Sequence, residues 1–275
     1  MNPLAEAICA ARPEPLADSL RLLCLSIGQF GEPQDLRRLL PVITKGNRAE
    51  LILDRMATDG EAPPPPAKRP GMLAYRIAGV ASNQERYAQA AGMYEISIEL
   101  DPDHAIALND YGYMLLEHNP AEKAKLEKLL ERAYELDAKS YNIADSLGWL
   151  RYKQGRFNDD PAKGAVAGAG ALSLLKRAIE LQERDQDAFA DPFIIDHYGD
   201  ALWAAGQRDA AQAQWQLAES KGQANLRMRA DNLSEDSYSK LLKKTIESAV
   251  GKRQAAREGK EPALEPRWTP DAKKP

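Results

Sequence analysis

The chain has 275 residues, of which 44% are hydrophobic, 28% charged and 7% aromatic, with 18 Gly, 18 Pro and two Cys. That composition admits one or two ordinary globular domains and excludes collagen-like, low-complexity and disulfide-framework chains. No apolar run approaches the roughly 18–20 residues of a membrane helix, and a net charge of −4 argues against a general nucleic-acid coat.

The opening MNPLAEAICAARPEP has neither a basic n-region nor an apolar h-region, so the chain as written is expected to stay in the cytoplasm. Cys9 and Cys24 stand outside any C-x-x-C and read as buried small hydrophobes. Residues 1–60 carry helical patterning. Leu16, Leu20, Leu23 and Ile27 form one stripe, and Leu36, Leu39, Leu40 and Ile43 another. Pro15 and Pro33 suit a first helical turn, whereas Pro41 should kink the second helix or end it early. A third short helix is expected over 48–57. The stretch EAPPPPAKRP (61–70) cannot be helix interior and reads as an extended linker.

Residues 71–221 show helical period throughout and repeat against themselves as four units. The first is 71–104, the second starts at Ala105, the third near Tyr141 and the fourth at Pro192. Each unit reads as two antiparallel helices. A small residue in the first helix (Ala78, Gly112, Gly148, Gly199) admits the second, and Gly155 and Gly206 fall where a left-handed residue ends a helix. Asp191-Pro192 is an N-cap followed by an N1 proline. About eleven extra residues, around NDDPAKGAVAGAG (158–170), interrupt the third unit and read as a flexible insertion. Residues 222–257 are expected to be a polar connector followed by an amphipathic helix near 235–257, capped by Ser234 or Ser237. Its stripe would run through Leu241, Leu242, Ile246 and Val250, and it would cover the end of the stack. Residues 258–275, rich in Pro and charge, read as a disordered tail.

The pattern resembles the tetratricopeptide repeat (TPR), a helix-turn-helix unit of about 34 residues. DSLGWLRYKQGRF (145–157) and DHYGDALWAAGQRDAAQAQW (196–215) are similar to a bacterial TPR subfamily whose members often serve envelope assembly, secretion or pilus biogenesis, and LNDYGYMLLEHN (108–119) is similar to the same subfamily. The resemblance implies an all-α, right-handed superhelical solenoid whose first helices line a concave groove. Carried over, the groove would contain Met72, Tyr75, Gly79, Ser82, Ile106, Asn109, Tyr113, Leu116, Asn142, Asp145, Trp149, Tyr152, Phe193, Asp196, Asp200 and Trp203.

That set holds six aromatics, three carboxylates and no Lys or Arg. It suits a peptide or partner segment of neutral or basic character. Trp149 and Trp203 have two readings, ligand anchors or packing residues between units, and the sequence leaves both open. The expected function is a non-catalytic protein-interaction scaffold without metal or cofactor, and without nucleic-acid contact or membrane contact other than through a partner. The alternatives are an envelope-assembly or secretion cofactor, with an export signal upstream of the sequence, or an enzyme with an unrecognised site.

The chemical motifs are thin. GAVAGAG (164–170) lacks the preceding strand and following Lys-Ser or Lys-Thr of a phosphate loop. Asp196, His197 and Asp200 share one helical turn, but zinc wants three or four ligands and no second His or Cys cluster lies nearby in sequence. From Ser239 onward there are ten Lys/Arg and five Asp/Glu, leaving about −9 on the rest of the chain. A basic docking tail is therefore a second reading of the C-terminal stretch.

Overall fold

A computed structural model describes residues 13–45, 48–56, 64–185, 191–229 and 237–268. Among these residues there are twelve α-helices, three short 3-10 turns and no strand. Numbered in chain order the helices are α1 (Pro13–Phe30), α2 (Pro33–Ile43), α3 (Arg48–Met56), α4 (Arg69–Asn83), α5 (Tyr87–Leu100) and α6 (Ala105–His118). There follow α7 (Lys123–Leu136), α8 (Tyr141–Lys153), α9 (Ala171–Arg184), α10 (Pro192–Ala204), α11 (Arg208–Arg229) and α12 (Ser237–Arg257). The protein is all-α and built of TPR-like helix pairs. Its described residues divide into two compact units, one up to Leu129 and one from Leu130 onward.

In the first unit, α4 packs against α5, and α5 against α6. The N-terminal helices stack on this series: α1 lies against α3 and α4, and α2 against α5. Arg86 ties them down, donating to the carbonyls of Gly28 and Gly31 at 3.3 and 2.7 Å. Pro33 is the first residue of α2, and Pro41 falls within the last turn, two residues before the helix ends. Leu36, Leu39, Leu40 and Ile43 are its buried stripe, as the period predicts. Leu20, Cys24 and Ile27 are buried on α1; Cys9 and the side chain of Leu16 lie outside the described residues. Burial pushes the Cys24 thiol up to about 12, which suits an apolar filler and not a reactive thiol. Pro66–Lys68 is a 3-10 turn and α4 begins at Arg69 with Pro70 in its first turn, so the helix reaches into the stretch expected as linker.

In the second unit, α8 packs on α9, α9 on α10, α10 on α11 and α11 on α12, while α8 also meets α10 and α10 meets α12. This is a ladder of hairpins in which each first helix touches the previous pair. Helix α12, which contacts both members of the fourth pair, stands where the first helix of a further pair would stand. Gly199 shows why the spacing of small residues matters. A Cβ there would lie 2.5 Å from the Trp215 ring, so glycine alone lets α11 seat its indole. The turns obey one rule. Gly155 and Gly206 have φ of +71° and +83°, and each is followed by an N–H that returns to a carbonyl inside the preceding helix. In the first pair the equivalent position is Glu85 at φ +58°, a left-handed conformation without glycine.

Three expectations about the C-terminal third need correction. Helix α11 runs to Arg229, so residues 222–229 are helix and not connector. The buried stripe of α12 is Ser239, Leu242, Thr245, Ala249 and Lys252, while Leu241 and Val250 are exposed. Ser237 opens α12, and Ser234 lies outside the described residues. Residues 258–259 turn out of the helix, 260–268 follow a path without helix or strand, and 269–275 lie outside the described residues.

The insertion is also a folded loop. Arg151, fully buried, donates to the Ala169 carbonyl at 3.2 Å and the Val166 carbonyl at 3.5 Å, and pairs with Glu131. Asp159 accepts from the Gly170 N–H and the Ser173 hydroxyl, and the Asp160 N–H donates to the Gly168 carbonyl at 2.8 Å.

Candidate functional site

The groove residues expected from the sequence fall in both units, and each unit is described by itself. In the first, Tyr75 is half-buried. Its hydroxyl donates to Asp110 at 2.8 Å and its ring meets His104 edge-on. Asn109 is buried beside them and donates to Asp110. Burial raises the pKa of Asp110, against the hydrogen bonds from Tyr75 and Asn109. Tyr113, Met72, Gly79 and Ser82 are half-buried, Leu116 is buried and Ile106 is exposed. Together they form a partly covered face around the Tyr75–Asp110–Asn109 hydrogen bonds.

In the second unit, Asp145, Trp149, Tyr152, Asp196, Asp200 and Trp203 come together, but as a buried layer. Trp149 is 2% exposed and Tyr152 0%. Trp149 stacks on Tyr152 with ring centroids 4.6 Å apart and on His197 at 4.0 Å. Both rings pack between hairpins. Asn142 is exposed on the same helix, and Phe193 is half-buried against Tyr238 of α12.

The three carboxylates are already engaged. Asp145 meets His197 Nδ1 at 3.0 Å. Asp196 and Asp200, one turn apart on α10, share the Lys252 ammonium at 2.8 and 2.6 Å. Asp200 also accepts from Trp215 Nε1 at 3.0 Å. Lys252 therefore enters the acidic cluster from α12, so those carboxylates do not present a bare acidic face. Burial works against the imidazolium of His197, but Asp145, with Asp196 and Asp200 behind it, outweighs burial and raises its pKa. Lys252 is raised in the same way, with Asp200 and Asp196 overcoming burial. Asp200 is raised because burial outweighs the ammonium. The His197–Asp145 pair has no hydroxyl aligned with it from the adjacent Ser146, which donates to the Asn142 carbonyl at 3.0 Å.

Trp203 differs from Trp149. Only 7% of it is exposed, but its indole N–H points out of the hairpin and donates to the Glu261 carboxylate at 3.0 Å. Tyr152 holds the same position in the third pair, four residues past its small residue, and its hydroxyl donates to the Glu265 carbonyl at 2.7 Å. The acceptors belong to residues 260–268, which run from the end of α12 across the ends of α10 and α8. Arg208 adds a contact to the second oxygen of Glu261 at 3.0 Å and lies over the Trp203 ring at 4.0 Å. Lys153 reaches Glu265 at 3.5 Å, and its carbonyl accepts the Trp268 N–H at 2.8 Å. The hydrogen bond from Trp203 and the charge and hydrogen bond of Arg208 hold the Glu261 carboxyl below its ordinary range.

Sequence reasoning missed Lys252, Arg208, Lys153 and residues 261–268. For Lys252 a signal existed: it continues the stripe 239, 242, 245, 249 at helical spacing, so a lysine stood on the buried face. Residues 261–268 carried a second signal in the doubled Glu-Pro of EPALEPRW.

No family model matches the chain. Over 87 residues, 32% of its length, it is 31% identical to the TPR repeat-containing protein PA4667 of Pseudomonas aeruginosa. The chain spans 15% of the length of that curated relative. The likeness supports TPR-like helical repeats, a fold in which protein partners are the general expectation. No helix among the described residues is long and apolar enough to cross a membrane.

Proposed function

We propose that the protein is a non-catalytic interaction scaffold that holds an extended segment of a protein partner along the first helices of its hairpins. The observation that carries this reading is the placement of residues 260–268. A chain without helix or strand lies across equivalent positions of two successive first helices, held by donors from Tyr152 and Trp203. Main-chain and side-chain contacts of this kind are how repeat arrays take extended ligands. The buried titratable groups of the second unit support a structural role, since they pair with one another inside the packing. The preference for a basic ligand expected from Asp145, Asp196 and Asp200 lacks support, because His197 and Lys252 occupy those carboxylates.

Replacing Trp149 or Asp196 would disturb packing, so the face is tested at exposed positions. Asn142→Arg and Ile106→Arg place a large cation on α8 and α6 at sites that carry no core contact. Affinity capture from native extract should lose its partner with one or both variants while far-UV circular dichroism stays unchanged. Equal capture by both variants would remove the first-helix face from consideration.

A further inference from the structure

Residues 258–268 behave as a ligand that happens to be covalently attached. Gly259, at φ +69°, ends α12, with the Gly259 and Lys260 N–H groups returning to the carbonyls of Ala256 and Ala255. The chain is then turned back over the fourth and third hairpins. Beyond that point the path is punctuated by Pro262 and Pro266 and contains one tight turn, from the Leu264 N–H to the Pro262 carbonyl at 3.0 Å. Prolines at this spacing keep a segment extended and lower the entropy lost on docking.

The contacts repeat with the sequence. Glu261-Pro262 meets Trp203 and Arg208 of the fourth hairpin, and Glu265-Pro266 meets Tyr152 and Lys153 of the third. A four-residue step in the segment thus matches one hairpin step in the array. Pro262 is buried, and Leu264 packs against the cluster of Ile195, Leu202, Trp203 and Trp215. Arg267 lies over the Phe157 ring at 5.5 Å. The receptor strip supplies two cations and two neutral donors, and the occupant supplies carboxylates four residues apart. That is charge complementarity for an acidic peptide, opposite to the basic one expected from the three aspartates.

Resting on the scaffold reading above, we propose that the strip of Trp203, Arg208, Tyr152 and Lys153 is a binding site for an extended acidic partner peptide bearing Glu-Pro dipeptides four residues apart. Residues 260–268 occupy it in cis, so an incoming peptide binds by displacing them. The tether gives the cis segment an effective concentration on the order of millimolar. Its salt links at Glu261 and Arg208 are solvent-exposed, and such links hold weakly. The segment is thus suited to competition by a partner peptide that adds contacts of its own.

The test uses the full chain and a fluorescein-labelled synthetic peptide of sequence EGKEPALEPRW, read by anisotropy. In a Glu261→Ala, Leu264→Ser chain the cis segment is loosened, and the peptide should bind at least tenfold more tightly than to the unaltered chain. Glu261→Ala alone, which removes no apolar contact, should shift affinity in the same direction by a smaller factor. Adding Arg208→Glu to the loosened chain should lose at least tenfold, as should a peptide with both internal Glu-Pro glutamates changed to lysine. The proposal is overturned if loosened and unaltered chains bind the peptide equally, or if the loosened chain, with native circular dichroism, does not bind it. Concentration-dependent dimers of the unaltered chain that exchange this segment between copies would overturn occupancy in cis. Absent peptide binding with partner capture still lost on Asn142→Arg or Ile106→Arg would sink this inference and leave the scaffold reading standing.

Discussion

Replacing Lys252 by methionine should destabilise the second unit by about 3–5 kcal/mol, the usual cost of stranding one side of a buried ion pair. The ammonium is 3% exposed and sits 2.8 Å from Asp196 and 2.6 Å from Asp200, itself 1% exposed. With an effective dielectric near 20, each contact is worth about 6 kcal/mol of gross attraction. Desolvating three ions costs several kcal/mol apiece, so the intact triad is close to neutral against an apolar replacement. Removing only the lysine keeps the desolvation cost and adds repulsion between carboxylates one turn apart.

A ceiling exists, because the stranded site can take up a proton. Neutralising an ordinary aspartate at pH 7 costs about 4 kcal/mol, and at pH 4.5 about 1 kcal/mol. The penalty of Lys252→Met should therefore shrink as the pH is lowered. All four tryptophans, Trp149, Trp203, Trp215 and Trp268, lie in the second unit, so their fluorescence in urea follows that unit by itself. Adding Asp196→Asn and Asp200→Asn to Lys252→Met should recover most of the loss. A penalty below about 1 kcal/mol at pH 7, or one that does not change between pH 7 and 4.5, would refute the argument.

Two further outcomes follow from the same geometry. Glu85→Gly should raise the urea midpoint by about 0.5–1 kcal/mol of stability, since a left-handed residue with a Cβ costs about 1–2 kcal/mol and glycine returns part of that as unfolded-chain entropy; far-UV circular dichroism of the variant checks it, and an unchanged or lower midpoint would remove the strain. For His197, the folded pKa is raised, so its stabilisation is complete below the ordinary value near 6.5 and is lost as pH climbs through the raised one. The melting temperature of the unaltered protein, relative to His197→Gln, should therefore be higher at pH 6 than at pH 8, and an opposite or absent trend would show that Asp145 does not hold the imidazolium.

The hairpins were legible because their information is local and periodic. Gly199, Ala211, Trp215 and Ala218 announce a close helix pair by spacing alone, and the structure seats Trp215 over Gly199 as that spacing requires. The site was less legible because its decisive contacts are distant in sequence. Lys252 meets Asp196 across 56 residues, and Tyr152 meets Glu265 across 113. A lysine on an amphipathic helix reads as solvated until its stripe is traced, and a segment rich in proline and charge reads as uncommitted until a surface with matching donors is placed beside it. Aromatic rings on a first helix carry no mark of whether they face a guest or the neighbouring pair. Trp149 and Trp203 are a single hairpin apart, yet Trp149 stacks on Tyr152 and His197 while Trp203 donates to Glu261.

The loop around Arg151 is gripped through main-chain oxygens, those of Val166 and Ala169, with Ala167 taken by Arg156. Carbonyls are common to every amino acid, so the letters at 165–167 are free to drift while the path of the loop persists. The glycines are the exceptions: Gly164 has φ +87°, and a side chain at Gly168 or Gly170 would strike the main chain of Asp160 or Asn158. Variation along this insertion should therefore be wide in the alanines and valine yet closed at those glycines and at the two arginines, whose guanidinium groups ask only for main-chain oxygens.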